Sequence, residues 1–151
     1  MGWVGSKDRE YSVILPWLLI GRKEVANNQQ LLNKLSITHI LNVTRDQPNK
    51  FPSSYIYERV PIKDNENEDI SEHWPTIINF IGRVEKAKGR VFVHCTVGSS
   101  RAPSAVLAYL VYNKGVPLID AFRYVRTLRP VTLPNHRFLL ELAKLEVGAR
   151  C

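Results

Sequence analysis

Arg90-Val91-Phe92-Val93-His94-Cys95-Thr96-Val97-Gly98-Ser99-Ser100-Arg101-Ala102 decides how the rest of the chain reads. Val91 to Val93 make a short apolar run, the pattern of a buried strand. A cysteine follows His94, an arginine stands six positions beyond it, and an apolar helical pattern begins at Ala102. This order puts Cys95 near a helix N-terminus, where unpaired N–H groups and the helix dipole favour anions. Such a setting also favours the reactive thiolate. Thr96, Val97, Gly98, Ser99, Ser100 and Arg101 can turn their N–H groups inward as an anion nest. Gly98 permits the tight backbone. Arg101 can grip two phosphate oxygens with its planar fork. His94 can orient the loop through its ring. Each residue taken alone is equally well explained by packing. Together, at this spacing and after a strand, they read as a loop that holds a phosphate and attacks its phosphorus.

The 151 residues suit one domain with a substantial core. A content of 44% hydrophobic and 23% charged residues is ordinary for a globular protein. No apolar run approaches the ~20 residues of a membrane span, and the polar start carries no secretory signal pattern. The two cysteines, Cys95 and Cys151, make no disulfide framework. Cys151 is the last residue and so does not fit a prenylation motif. A cysteine in a polar loop suits a reducing compartment. The expected location is intracellular, in the cytoplasm, with the nucleus left open. The net charge is +7, but the basic residues are scattered. No nucleic-acid partner is expected; the charge suits phosphorylated, anionic substrates. Gly2 with Ser6 fits the N-myristoylation pattern. Bulky Trp3 opposes it, and an ordinary frayed terminus is the better reading. Lipidated, Gly2 would give weak membrane association only. Nothing in the sequence fixes the oligomeric state.

Two short strands are expected around Pro16, between Ser12 and Ile20, ended by Gly21. Leu31, Leu32 and Leu35 predict a helix capped by Asn27 or Asn28. Thr38 to Val43 is a β-branched run and reads as a buried strand; Tyr55 to Val60 reads as the next. Pro61 to Asp69 is an exposed acidic loop. Ser71 is the expected cap of a helix carrying Trp74, Ile77, Ile78, Ile81 and Val84, ended by Gly89. After the cysteine loop come a helix to Gly115 and a second opened by Pro117, with Ile119, Phe122, Val125 and Leu128 on its inner face. The stiff segment Pro130 to Pro134 leads to a last helix, capped by Asn135 and carrying Phe138, Leu139, Leu142 and Leu145. Alternating strands and helices predict an α/β fold: a central mixed, largely parallel sheet flanked by helices. The expected division is a tail over 1–11, one domain over 12–147 and a tail over 148–151, with nothing before Tyr11 large enough to be a docking domain.

His-Cys, five residues, then Arg resembles the signature of the cysteine-dependent protein phosphatases. The rest of the chain is most similar to their dual-specificity branch. Pro16 to Gly21 resembles the family's opening strand pair, and Ile37 to Val43 its next strand. Ala108-Tyr109-Leu110 resembles the helix after the loop, and Arg129-Pro130 through Pro134-Asn135, with Phe138 and Leu142, its C-terminal segment. The similarity runs from about Ser12 to Val147. It implies the protein-tyrosine-phosphatase-like fold and hydrolysis of phosphotyrosine, phosphoserine and phosphothreonine on a protein substrate. Cys95 is the implied nucleophile, and a cysteinyl-phosphate the intermediate. No cofactor and no metal are implied, and no two of the four histidines have ligand spacing. The family's general acid is an aspartate upstream of the cysteine. Asp64, after Val60-Pro61-Ile62-Lys63, matches it. Glu66 ranks second, Glu68 reads as solvated, and Asp69 as a charge near a helix start. Asn135 in the family ties a neighbouring loop to the phosphate loop; Asn42 is a candidate for similar work, and both also suit simple caps or strand-end bonds.

The sequence departs from the family at Ala102, where most members carry serine or threonine. That hydroxyl helps stabilise the leaving thiolate, so a slower second step is expected. Ala102-Pro103 with Cys95-Thr96 also resembles the plant-type glucan phosphatases, although no carbohydrate-binding module is present. A phosphoinositide substrate is less favoured, because the loop contains no lysine. The alternative of another class is a catalytically weak phosphate-binding module. The presence of Cys95, Arg101 and Asp64 argues against it.

Overall fold

Period-two alternation along three strands divides the core into two layers, and the computed structural model shows both; it describes residues 10–149. Gly2 and Cys151, on which the lipidation readings rest, lie outside the described residues. The strands are β1 (Tyr11–Leu15), β2 (Leu18–Gly21), β3 (His39–Asn42), β4 (Ile56–Arg59) and β5 (Val91–His94). They form one sheet in the order β1-β2-β5-β3-β4. β1 and β2 are antiparallel, turning at Pro16 and Trp17; the other three pairings are parallel. The expected mixed, largely parallel sheet is therefore present.

On β2, Leu18 and Ile20 face one layer and Leu19 the other; on β5, Val91 and Val93 oppose Phe92. The smaller layer holds α1 (Lys23–Ala26) and α2 (Gln29–Lys34), whose Val25 and Leu32 pack with Leu19, Ile40 and Phe92. The larger layer holds α3 (Trp74–Lys86), α4 (Arg101–Lys114), α5 (Leu118–Leu128) and α6 (His136–Ala149). β5 is covered on both faces, so its run is apolar without interruption up to His94. α4 is buried continuously from Arg101 to Val111, as expected for a helix surrounded by others. No helix among the described residues is long and apolar enough to cross a membrane.

Several local expectations need correction. A four-residue helix, α1, follows Arg22 where none was expected; Arg22 makes no side-chain cap, so the sequence carries no start signal. Asp69, not Ser71, is the cap: its carboxylate accepts from the Ser71 amide, opening a 3-10 turn over Ile70–His73 that leads into α3. Lys88, not Gly89, takes the left-handed conformation behind α3, at φ 54°. On α5, Ile119 and Leu128 point outward. Ala121 and Val125 are buried, and Leu118 and Phe122 pack against the core. Asn28 and Asn135 cap their helices as predicted.

Candidate active site

The register places Gly21 and Asn42 level with His94, so the three parallel strands β2, β5 and β3 end together. The loop 95–100 leaves this edge at the carboxyl ends of the strands, where open α/β sheets bind ligands. It runs directly into the N-terminus of α4.

Each carbonyl of the loop is directed away from its centre. The Cys95 carbonyl faces the His94 ring Nδ1 at 3.4 Å. The Thr96 carbonyl accepts from the Lys23 amide of α1 at 3.1 Å. Arg129 donates to two carbonyls, from Nη2 to Val97 at 3.0 Å and from Nε to Gly98 at 2.7 Å. The Ser99 carbonyl accepts from the Leu133 amide at 2.6 Å, and that of Ser100 from Ser104 inside α4. Because C=O and N–H of a trans peptide point opposite ways, outward carbonyls turn the amides inward. One of those amides and one from the first turn of α4 reach the nucleophile candidate: Cys95 Sγ accepts from Gly98 N at 3.2 Å and Ala102 N at 3.4 Å. Gly98 is required here. Its φ is +79°, and a Cβ would lie 2.7 Å from the Gly21 carbonyl oxygen and 2.8 Å from Arg129 Nη2.

Two buried guanidinium groups flank the loop. Arg101 donates from Nη1 to the Ile62 carbonyl and from Nη2 to the Thr96 hydroxyl, both at 2.9 Å. Asp46 lies 3.9 Å from Nη1. Arg101 Nε is buried with no protein partner among the described residues. Its orientation is therefore set by the Ile62 carbonyl and the Thr96 hydroxyl, and its Nε keeps an unused donor. Arg129 is 0% exposed. Burial lowers its pKa to about 10, partly offset by attraction to Cys95, so it stays a cation at neutral pH. His94 is also buried, which lowers its pKa to about 4 and keeps its ring neutral.

The acid loop is tied to the same frame. Asp64 Oδ1 accepts from Asn135 Nδ2 at 3.0 Å, and the Asn135 amide donates to the Ser100 hydroxyl at 3.1 Å. Asn135 thus joins Asp64, the loop and the start of α6. Asp64 and Glu66 share a groove with Ser99 and Ser100. Glu66 faces His136 at 3.6 Å instead of an orienting amide. Glu68 is not merely solvated: it accepts from the Lys63 amide at 2.7 Å and closes the acid loop. Asn42 bonds Thr44, Gln47 and Asn49, so it orders the loop carrying Asp46 and has no bond to loop 95–100. Ala102 is buried and contributes its amide alone to the sulfur.

The expected cluster of Cys95, Arg101, Asp64 and Asn135 is brought together. Sequence reasoning missed the roles of Arg129 and the Lys23 amide. The sequence marks Arg129 only as part of Arg129-Pro130, in the segment that resembles the family's C-terminal segment, with no role attached.

The chain is similar to known proteins in sequence and in fold. The family model "Dual specificity phosphatase, catalytic domain" matches residues 18–147. Human dual specificity protein phosphatase 1 is 39% identical over 133 residues, 88% of this chain and 36% of that protein. The chain spans about a third of the length of the curated relatives it matches. A mouse putative dual specificity phosphatase complexed with zinc tungstate superposes with a TM-score of 0.90 at 30% identity, covering 99% of this chain and 94% of that one. Human DUSP28 superposes with a TM-score of 0.88 at 29% identity, covering 93% and 95%.

Proposed function

The chain belongs to the dual specificity phosphatase family, and on that premise we propose that it hydrolyses phosphate monoesters on proteins, at tyrosine and at serine or threonine, through a cysteinyl-phosphate intermediate. One observation carries the reading. The carbonyls of loop 95–100 are directed outward while Cys95 Sγ sits among inward amides. That geometry suits a tetrahedral dianion better than any packing role. The mouse relative is complexed with zinc tungstate, whose oxyanion has the tetrahedral shape of phosphate.

In the first step the Cys95 thiolate attacks phosphorus. The S–P bond forms, the ester P–O bond breaks, and Asp64 gives its proton to the leaving oxygen. In the second step water attacks the same phosphorus and gives a proton to Asp64, and the S–P bond breaks to release thiolate and inorganic phosphate. The amides of residues 96–101 and the Arg101 guanidinium stabilise the equatorial oxygens in both steps. The Gly98 and Ala102 amides receive the returning thiolate. Asn135 positions Asp64, and neutral His94 supports the loop. A free catalytic thiolate calls for a reducing compartment, which supports a cytoplasmic or nuclear setting.

The test is hydrolysis of a small aryl phosphate by the wild type and by Cys95→Ser. Turnover by the first and none by the second is the expected result. Equal turnover by both, or none by either, would overturn the mechanism; the latter would favour a phosphate-binding module.

A further inference from the structure

Beside the phosphate loop lies a groove of about 470 Å³ whose apolar wall has no part in the steps above. Val131, Leu133 and Leu139 form that wall. Val131 is 42% and Leu133 63% exposed, although Thr132 between them is fully buried. These side chains are not on a slack segment. The Leu133 amide is bonded to the Ser99 carbonyl, the Thr132 amide to the Arg129 carbonyl, and the Asn135 amide to the Ser100 hydroxyl. Pro130 and Pro134 stiffen what lies between. Two branched apolar side chains are thus held in water at fixed positions next to the loop, the pattern of a contact surface.

We propose that this groove is a subsite for an apolar side chain flanking the phosphorylated residue of the substrate. The proposal rests on the phosphatase reading. The occupant follows from continuity: Ser99 and Ser100 belong to the phosphate loop and also line the groove. A polypeptide whose phosphoryl group sits in the loop can lay an adjacent residue along that shared edge. Asp64 and Glu66 also line the groove. The Glu66 carboxylate disfavours an acidic or second phosphorylated residue on this side, so it and the apolar wall select the same chemistry. A leucine, isoleucine or methionine within two positions of the phosphoresidue fits, and an aspartate does not.

The experiment uses phosphotyrosine peptides identical except at one flanking position, which carries leucine, alanine or aspartate, scanned over two positions on each side. For the wild type, leucine should raise kcat/KM about tenfold over alanine at one position, with aspartate below alanine. In the variant Val131→Ser that preference should fall at least about threefold while hydrolysis of a small aryl phosphate is unchanged. A second arm measures Kd of the same peptides, fluorescently labelled, on Cys95→Ser. It should show the same order without turnover. Equal affinity for leucine and alanine peptides, or a preference for aspartate, overturns the subsite. So does a Val131→Ser variant that lowers aryl phosphate and every peptide by one factor. If the wild type turns over nothing, the phosphatase reading fails, and the binding arm still decides the groove by the same order of affinities.

Discussion

Replacing Arg129 by methionine should disable the phosphate loop from beneath. The peptide unit joining Val97 to Gly98 has its carbonyl on Arg129 Nη2 at 3.0 Å and its N–H on Cys95 Sγ at 3.2 Å. The guanidinium therefore fixes, through one rigid plane, the direction of an amide that meets the nucleophile. The next unit has its carbonyl on Arg129 Nε at 2.7 Å, which aims the Ser99 amide inward. A third bond runs from Nη1 to the Ser12 hydroxyl of β1 at 3.2 Å. Methionine fills much of the volume and supplies no donor. Two carbonyls then lose a charged partner, at about 1–3 kcal/mol each, partly offset because no cation is desolvated. The net loss of stability is about 2–4 kcal/mol, the two lost partners less the relieved desolvation. Misdirecting one inward donor costs about 10²–10³ in kcat. Urea unfolding followed by circular dichroism measures the first quantity, and aryl phosphate kinetics corrected for folded fraction measure the second. Arg129→Lys keeps the charge without the fork and should fall between methionine and wild type. If folded Arg129→Met keeps kcat/KM within about threefold of wild type, far short of the loss of one donor, then Arg129 only packs and the account of the loop is wrong.

Two further predictions concern the neighbours of Cys95. Ala102→Ser adds a hydroxyl beside a sulfur that now receives only the Ala102 amide at that position. A bond to charged sulfur worth about 1.5–3 kcal/mol should raise kcat roughly tenfold if thiolate release limits turnover, and should shrink any pre-steady-state burst; unchanged kcat and burst would refute it. His94 binds its proton with a pKa of about 4 when folded against 6.5 for the free side chain, because burial disfavours the cation. The unfolded chain therefore takes up more protons between those values, and stability falls as pH drops through that window. By linkage the loss is about 2 kcal/mol from pH of about 7.5 to about 5. Unfolding of His94→Asn should lack this component, and parallel pH profiles for the two proteins would rule it out.

What the sequence discloses and what it hides follow from the range of the interactions. Strand, cysteine loop and helix are contiguous, so the change from an apolar run to a glycine-containing turn to an apolar helix is visible from residue 90 onward. Asn28 and Asn135 are legible because a cap acts within three residues. The inner face of α5 is not, because Ile119 and Leu128 keep helical spacing while the core lies on the side of Ala121 and Val125. Arg129 is hidden for a stronger reason. A buried arginine is tolerated only where carbonyls from distant segments converge on it, and those of Val97 and Gly98 lie about thirty residues away. The Lys23 amide is harder still, since any residue supplies a backbone N–H.

The segment from Arg129 to Asn135 forms the second half of the site. Within seven residues it anchors the loop carbonyls through Arg129, the Ser99 carbonyl through Leu133, and both Ser100 and Asp64 through Asn135. Arg101 reaches the acid loop separately, through the Ile62 carbonyl. The loop 95–100 and the segment carrying Asp64 are therefore attached to each other at two points, one inside the site and one at its edge. Folding fixes this alignment before any substrate arrives. Donors oriented in advance need no reorganisation as charge develops on the phosphoryl oxygens, which is where electrostatic catalysis gains most. The same attachment explains why the apolar wall at Val131 and Leu133 is rigid: it is carried by the segment that holds the catalytic loop in register. On the proposed subsite, a substrate side chain seated on that wall would be placed in fixed relation to Cys95, making recognition and alignment one structural event.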